Sequence, residues 1–188
     1  HHGIDALQLL NGRPSFITKI QKKILRNRSL KQLNKIDLNI SVSNRVKNEL
    51  HLYPNYFPKQ EYVLYNGVDR TKFYNMNVIK LTDKFHVGCI ANFWPIKDHI
   101  NLIKAIDLLV KDGVDDIVLR LIGTGEILDF CKKFVKESHL EENVLFEHES
   151  PHEQINIFYN EIDLFVLSSY YEASACVLME EWATKTPI

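Results

Sequence analysis

The chain has no surplus of positive charge: 23 Lys and Arg stand against 24 Asp and Glu, a formal net charge of −1. A dedicated nucleic-acid binder is expected to carry a basic excess, so no nucleic-acid partner is expected. The chain is also short of cysteine. Cys89, Cys131 and Cys176 are odd in number and scattered among apolar neighbours, which argues against a disulfide framework and predicts reduced core thiols in a cytoplasmic setting. No apolar run reaches membrane-spanning length, and there is no signal-peptide pattern, internal repeat or low-complexity tract. What remains is the composition of a globular protein, 45% hydrophobic and 25% charged over 188 residues. That length holds one domain or parts of two, either able to bury a core. The opening His1-His2-Gly3 without Met, and the stop at Ile188 where another strand is expected, read as truncation at both ends.

From residue 85 onward the pattern is regular. Strands are expected at Phe85–Ile90, Ile117–Ile122, Val144–Phe146 and Leu164–Leu167, and helices at Asp98–Lys111, Glu126–Glu137, His152–Tyr159 and Ala175–Thr184. The first of these helices has Ile100, Ile103, Ile106, Leu109 and Val110 on its apolar side; the last has a stripe of Cys176, Met179 and Ala183, widened by Val177 and Leu178. Strands alternating with helices, without hairpin signals, mean parallel βα units and a doubly wound α/β sheet, whose ligands bind in the loops after the strands.

The front of the chain is less regular. Residues 14–35 read as a helix with Ile17, Ile20, Ile24 and Leu25 on one face and Lys19, Lys22, Lys23, Arg26, Arg28, Lys31 and Lys35 around the other. That composition fits a solvated helix face, and it also fits a helix lying on an anionic membrane. A strand is expected over Asp37–Val42 and a helix over Asn44–Leu52, capped by Ser43, with Val46 and Leu50 inward. A third element, Tyr62-Val63-Leu64, is a short strand stopped at Asn66-Gly67-Val68-Asp69, where Asn-Gly is a strong turn signal. The polar stretch 70–84 reads as a linker, dividing the chain into 1–69, 70–84 and 85–188.

Four loops follow the later strands. In the first, Lys97 stands just before a helix, where a lysine can neutralise a phosphate as a mobile point charge and the helix start adds backbone donors. The second, Gly123-Thr124-Gly125, lets backbone approach a ligand closely. Leu128 occupies the place of the third glycine that a dinucleotide fingerprint requires, which sets an NAD enzyme aside. The third loop holds His148-Glu149-Ser150-Pro151-His152, a match to the zinc-protease string. Pro151 is incompatible with the continuous helix that chemistry needs, and Ser150, Pro151 and Glu153 fit the cap, first turn and capping-box acid of a new helix, so no metal is expected there. In the fourth, Glu172 lies on a turn and Glu180 eight positions later in a helix.

This Glu172/Glu180 placement, followed by Ala183 and Pro187-Ile188, resembles the Glu-x7-Glu signature of the group 1 (family 4) retaining glycosyltransferases. The resemblance runs through most of the chain. His1-His2-Gly3-Ile4-Asp5 resembles a His-Gly-x-Asp segment facing the acceptor cleft, although paired histidines also suggest a purification tag. SVSNRVKNEL at Ser41–Leu50, Asn66-Gly67-Val68-Asp69 with Phe73, the Asn92–Lys97 loop and Gly123-Thr124-Gly125 all match family steps in order. The resemblance implies a GT-B fold in which 1–69 is the rear of the acceptor-side domain and 85–188 an incomplete Rossmann-like donor domain. It implies a nucleotide-diphosphate sugar as donor substrate, with Glu180 accepting from the ribose diol and Glu172 holding donor-sugar hydroxyls. Lys97 would meet the diphosphate, with Asn92, Gly123, Gly125, Ser150, Ala173, Ser174 and Ala175 around the donor, and His2 would position a hydroxyl. Asn92 departs from the family's arginine, and Ala173-Ser174-Ala175 from its Gly-x-Gly, which leaves the donor's identity open.

No Asp-x-Asp pair for a metal occurs, and no cofactor is implied. The resemblance implies a hexosyltransferase-type enzyme, acting with retention on a sugar or lipid-linked acceptor in polysaccharide or glycoconjugate biosynthesis, at the inner face of the membrane or in the cytoplasm. The 188 residues alone are expected to be inactive. A catalytically inactive nucleotide-sugar-binding module and a GT-B sugar-nucleotide epimerase remain alternatives.

Overall fold

Strands joined through helices pair in parallel, and every described strand here does so. The computed structural model of the chain describes residues 16–78, 83–147 and 152–188. They fall into two compact units, one of residues 16–67 with Glu172–Ser174 and one of residues 68–78, 83–147 and 152–171 with Ala175–Ile188.

The first unit contains α1 (Phe16–Leu33), β1 (Asn39–Ser41), α2 (Asn44–His51) and β2 (Glu61–Val63). Its two strands pair in parallel, with Ile40 opposite Tyr62. Ser43 caps α2 as expected, its Oγ accepting from the Val46 amide at 3.3 Å. The same hydroxyl donates to the Ala173 carbonyl at 2.7 Å, and Asn66 Nδ2 donates to Ser174 Oγ at 3.2 Å. In α1 the periodicity misleads: Leu30 is buried, whereas Ile24 and Leu25 are exposed. A helix with cations at every turn gives its few aliphatic residues no unique face.

The second unit is a four-stranded sheet in the order β5-β4-β3-β6, made of β3 (Phe85–Ile90), β4 (Ile117–Ile122), β5 (Val144–Glu147) and β6 (Leu164–Phe165). Its helices are α3 (His99–Lys111), α4 (Leu128–Glu137), α5 (His152–Glu161) and α6 (Cys176–Thr184). Alternation along the strands separates two cores. Val87, Cys89, Leu119 and Leu121 pack with Ile103 and Ile106 of α3 and Cys131 and Val135 of α4. The intervening Gly88 and Arg120 face α5: a Cβ on Gly88 would lie 2.5 Å from Ile162 and 2.9 Å from Phe158, so α5 is seated where no side chain fits. Arg120 is held there by Glu147 and Glu161, its guanidinium 4.9 Å from the Phe158 ring centre.

Part of the stretch read as a linker is fastened to this unit. Phe73 is buried with Tyr159 and Phe165, and the Tyr74 and Met76 amides donate to the side chains of Asn156 and Asn160 at 3.0 and 2.7 Å. Asn75 Nδ2 donates to the Thr184 carbonyl at 2.9 Å.

Two helix faces differ from expectation. On α3 the buried residues are His99, Leu102, Ile103 and Ile106, while Leu109 is partly exposed. On α6 Val177 and Leu178 face the core with fully buried Glu181 and Thr184, and Cys176 is exposed. The expectation of three core thiols is thus corrected: Cys89 and Cys131 are buried, Cys176 is not. The reason is that polar residues occupy buried positions of α6, which a hydropathy pattern reads as surface.

Candidate functional site

Parallel strands deliver their following loops to one edge of a sheet, and in the second unit the loops after β3, β4 and β6 converge there. The loop after β3 runs through Ala91, exposed Asn92, fully buried Phe93 and exposed Trp94 into a 3-10 turn, Pro95–Lys97. Asp98 follows in the left-handed region, φ 49° and ψ 43°, and opens α3 with no side-chain cap bond. The first amides of that helix are therefore left to other acceptors.

The loop after β4 holds this turn from beside it. Phe93 N–H donates to the Thr124 carbonyl at 2.7 Å, and Ile127 N–H donates to the Phe93 carbonyl at 3.1 Å. Gly123 and Gly125 both have positive φ, 148° and 152°. A Cβ on Gly123 would lie 2.2 Å from the Ala91 carbonyl oxygen, and one on Gly125 2.5 Å from that of Phe93. The two glycines thus admit the neighbouring loop's backbone, which is a structural demand separate from any approach of a ligand.

The loop after β6 fastens the same turn from the other side. Ser168 Oγ donates to the Lys97 carbonyl at 2.8 Å, and Tyr170 N–H donates to the Ile96 carbonyl at 2.9 Å. The Tyr170 hydroxyl hydrogen-bonds the Asp98 carboxylate, which raises its pKa above the usual phenol value. Beneath the turn, His99 is fully buried and stacks on Phe93, ring centres 4.0 Å apart and planes at 17°. Burial, aided by the Lys97 charge, lowers the imidazole pKa to about 4, so His99 is neutral near pH 7. The turn therefore carries its positive charge on Lys97.

Glu180, one of the predicted acids, stands on α6 in the same unit. Its Oε2 accepts from the hydroxyl of fully buried Tyr159 at 2.9 Å. Next to it, Glu181 is turned into the core, and burial lifts its carboxyl pKa to about 8 while the Thr186 hydroxyl works the other way. Ala175 precedes α6 in extended geometry with no side-chain cap bond, so this helix start too has amides without a side-chain acceptor.

Of the predicted residues, Asn92, Lys97, Gly123, Gly125, Ala175 and Glu180 belong to the second unit, and Glu172, Ala173 and Ser174 group with the first. His2 and Ser150 lie outside the described residues, as do His148, Glu149 and Pro151 of the zinc-protease string. Among the described residues, no group of three or more His, Cys, Asp or Glu could hold a metal ion, and no helix is long and apolar enough to cross a membrane. Sequence reasoning missed His99, Tyr159, Ser168 and Tyr170. The polar Ser168-Ser169-Tyr170 run at a strand end was a usable signal; Tyr159, on an apolar stripe with Ile155 and Ile162, reads only as core.

Comparison with known proteins agrees with this architecture. The family model described as "Glycosyl transferases group 1" matches residues 73–188. A curated relative, the putative glycosyltransferase EpsF of Bacillus subtilis (strain 168), is 31% identical over 107 residues, which is 56% of this chain and 27% of that protein. A crystal structure of S. aureus TarM with UDP and sugar ligands aligns at TM-score 0.70 and 22% identity, covering 90% of this chain and 31% of that one. Sucrose-phosphate synthase from Thermosynechococcus elongatus aligns at 0.74 and 21%, over 87% and 43%. Anabaena HepE in complex with UDP and glucose aligns at 0.73 and 18%, over 87% and 47%. The chain thus spans about a quarter of its curated relative and less than half of these structures.

Proposed function

The chain belongs to the group 1 glycosyl transferases, and from that premise we propose that it binds a nucleotide-diphosphate sugar for transfer of the sugar to a carbohydrate or lipid-linked acceptor. The observation that carries the reading is the double fastening of the Lys97 turn, by the loop after β4 and by Ser168 and Tyr170 after β6. It puts a lysine, the glycine-bearing loop after β4 and an uncapped helix start at one sheet edge.

Transfer builds negative charge on the departing diphosphate and positive character on the anomeric carbon. Fixed donors and a cation aimed at the leaving group lower that barrier, because they need not reorganise as charge develops. In this reading Lys97 and the first amides of α3 and α6 take the diphosphate, and the chain needs no metal for that task. Glu180 accepts from the ribose diol, as a carboxylate with several lone-pair sites can. Glu172 orients donor-sugar hydroxyls and does not act as a covalent nucleophile. Asn92, Gly123, Gly125, Ser150, Ala173, Ser174 and Ala175 line the donor, and His2 positions a hydroxyl.

Retention belongs to this proposal through the Glu172/Glu180 resemblance, with the acceptor attacking the face the leaving group departs from. Uridine is the first base to try, since UDP is bound in the TarM and HepE structures. The cationic helix α1 contacts an anionic membrane surface on the cytoplasmic side, and the product feeds polysaccharide or glycoconjugate synthesis.

The test is a transfer assay on the complete transferase with UDP-, GDP- and ADP-sugars, the anomeric configuration of the product read by NMR. Sugar transfer with retained configuration is expected. Release of a free epimerised sugar nucleotide, or absence of transfer from every donor, would contradict the proposal.

A further inference from the structure

Tyr159 is fully buried, and its ring is boxed edge-on by Phe73, Phe158 and Phe165 with ring centres 6.0, 6.3 and 5.6 Å away. Its carbonyl accepts from Thr186 Oγ1 at 2.8 Å, tying α5 to the chain just beyond α6. A phenol held on this many sides has one place to aim its hydroxyl, and that place is Glu180 Oε2 at 2.9 Å. A glutamate side chain otherwise samples several rotamers, and ordering them on binding a ligand costs affinity.

We propose that Tyr159 is a positioning residue for donor recognition: it fixes the Glu180 carboxylate in advance so that the ribose diol meets an ordered acceptor. The inference rests on the reading of Glu180 as the ribose-binding acid. Tyr159 contributes no atom to the donor and acts through one hydrogen bond. Burial and the neighbouring carboxylates raise its phenol pKa above the usual value, so the hydroxyl remains a donor across the working pH range. Phe73, on the strap that precedes β3, is the second member of the device, because it closes the ring's cage from outside the sheet.

The test compares binding of a nucleoside diphosphate with that of its 2′-deoxy analogue by calorimetry, using whichever of UDP, GDP and ADP binds the native chain. The ribo-to-deoxyribo affinity ratio reports the contact to Glu180, and a change in stability alone does not move it. Glu180→Ala is expected to collapse the ratio. Tyr159→Phe is expected to lower ribonucleotide affinity by about 3- to 10-fold, the worth of one hydrogen bond, and to reduce the ratio. Combined with Glu180→Ala it should add little. Phe73→Leu, which loosens the cage and keeps the hydroxyl, should lower the ratio by a smaller factor, and it serves if Tyr159→Phe does not fold. A ratio unchanged in Tyr159→Phe or Phe73→Leu, while Glu180→Ala collapses it, overturns the inference and leaves the ribose reading standing. A ratio unchanged in Glu180→Ala, or no binding of any of the three diphosphates, overturns the ribose reading itself and this inference with it.

Discussion

The Lys97 turn and the Glu180 face of α6 are held in place by different means. Around Lys97 the restraints are main-chain: Phe93, Ile96 and Lys97 bond the backbone or a serine of adjacent loops, and Gly123 and Gly125 exist so that those backbones can touch. At Glu180 a side chain supplies a restraint: Tyr159, set in an aromatic cage. Each region also buries a titratable group that burial keeps neutral, and His99 and Glu181 are opposite in kind. His99 under the turn is kept neutral by losing its proton, and Glu181 beside Glu180 by keeping its own. A turn braced mostly through its backbone depends less on the identity of its own side chains than a carboxylate held by a phenol does. A carboxylate hydrogen-bonded to a phenol can be perturbed by removing a single oxygen atom.

The sharpest way to break the comparison is Gly125→Ala. The new Cβ meets the Phe93 backbone on three atoms, between 2.5 and 2.8 Å, at a φ of 152° that alanine rarely adopts. A loss of about 3 kcal/mol in denaturant unfolding is expected, in the range of overpacked or strained sites. A loss under ~1 kcal/mol would mean that the loop contact yields readily and the brace is not rigid.

Next in size is the pH dependence of stability. Glu181 has a folded pKa of about 8 against 4.5 for the free group, so its stabilising contribution, complete below pH 4.5, falls away as pH rises to 8. His99 has a folded pKa of about 4 against 6.5, so its contribution, complete above pH 6.5, is lost as pH falls to 4. Between pH 4.5 and 6.5 the two slopes oppose each other; from 6.5 to 8 Glu181 acts alone, at up to ~1.4 kcal/mol per pH unit. Unfolding midpoints should therefore be nearly flat at mildly acid pH and decline toward pH 8. Glu181→Gln should abolish the decline, and a decline that survives in the variant would contradict the burial of this carboxyl.

The smallest expected effect is a gain. Lys185 ends α6 with φ 68°, a conformation glycine adopts without strain. Lys185→Gly should stabilise the unit by about 0.5–1 kcal/mol in the same unfolding experiment, and a loss would show that the lysine side chain contributes more than its backbone strain costs.

The alternating strands and helices were legible because strands with near-continuous apolar runs, such as Ile117–Ile122, are separated by helical periods of ordinary length. In the candidate site, the placement of Lys97 and the glycine loop at a sheet edge was legible, since a lysine before a helix and Gly-x-Gly after a strand are local patterns. It was not legible where burial goes against hydropathy. Glu181, Thr184 and His99 are polar and fully buried, so α6 and α3 turn differently from what their apolar residues suggest. The purpose of Gly123 and Gly125 was half-legible: close approach was expected, but the partner is another stretch of the same chain. Tyr159 gave no sign, because a core aromatic and an aromatic that aims a carboxylate share the same position on a helix.

The most direct measurement is a calorimetric titration of the chain and of Lys97→Ala with a UDP-sugar. The turn around Lys97 is held through backbone carbonyls and amides, so the variant should stay folded while its affinity for the donor falls about 10- to 100-fold, the range of a charge-assisted contact. Equal affinities in the two proteins would contradict the assignment of this sheet edge to the donor's diphosphate.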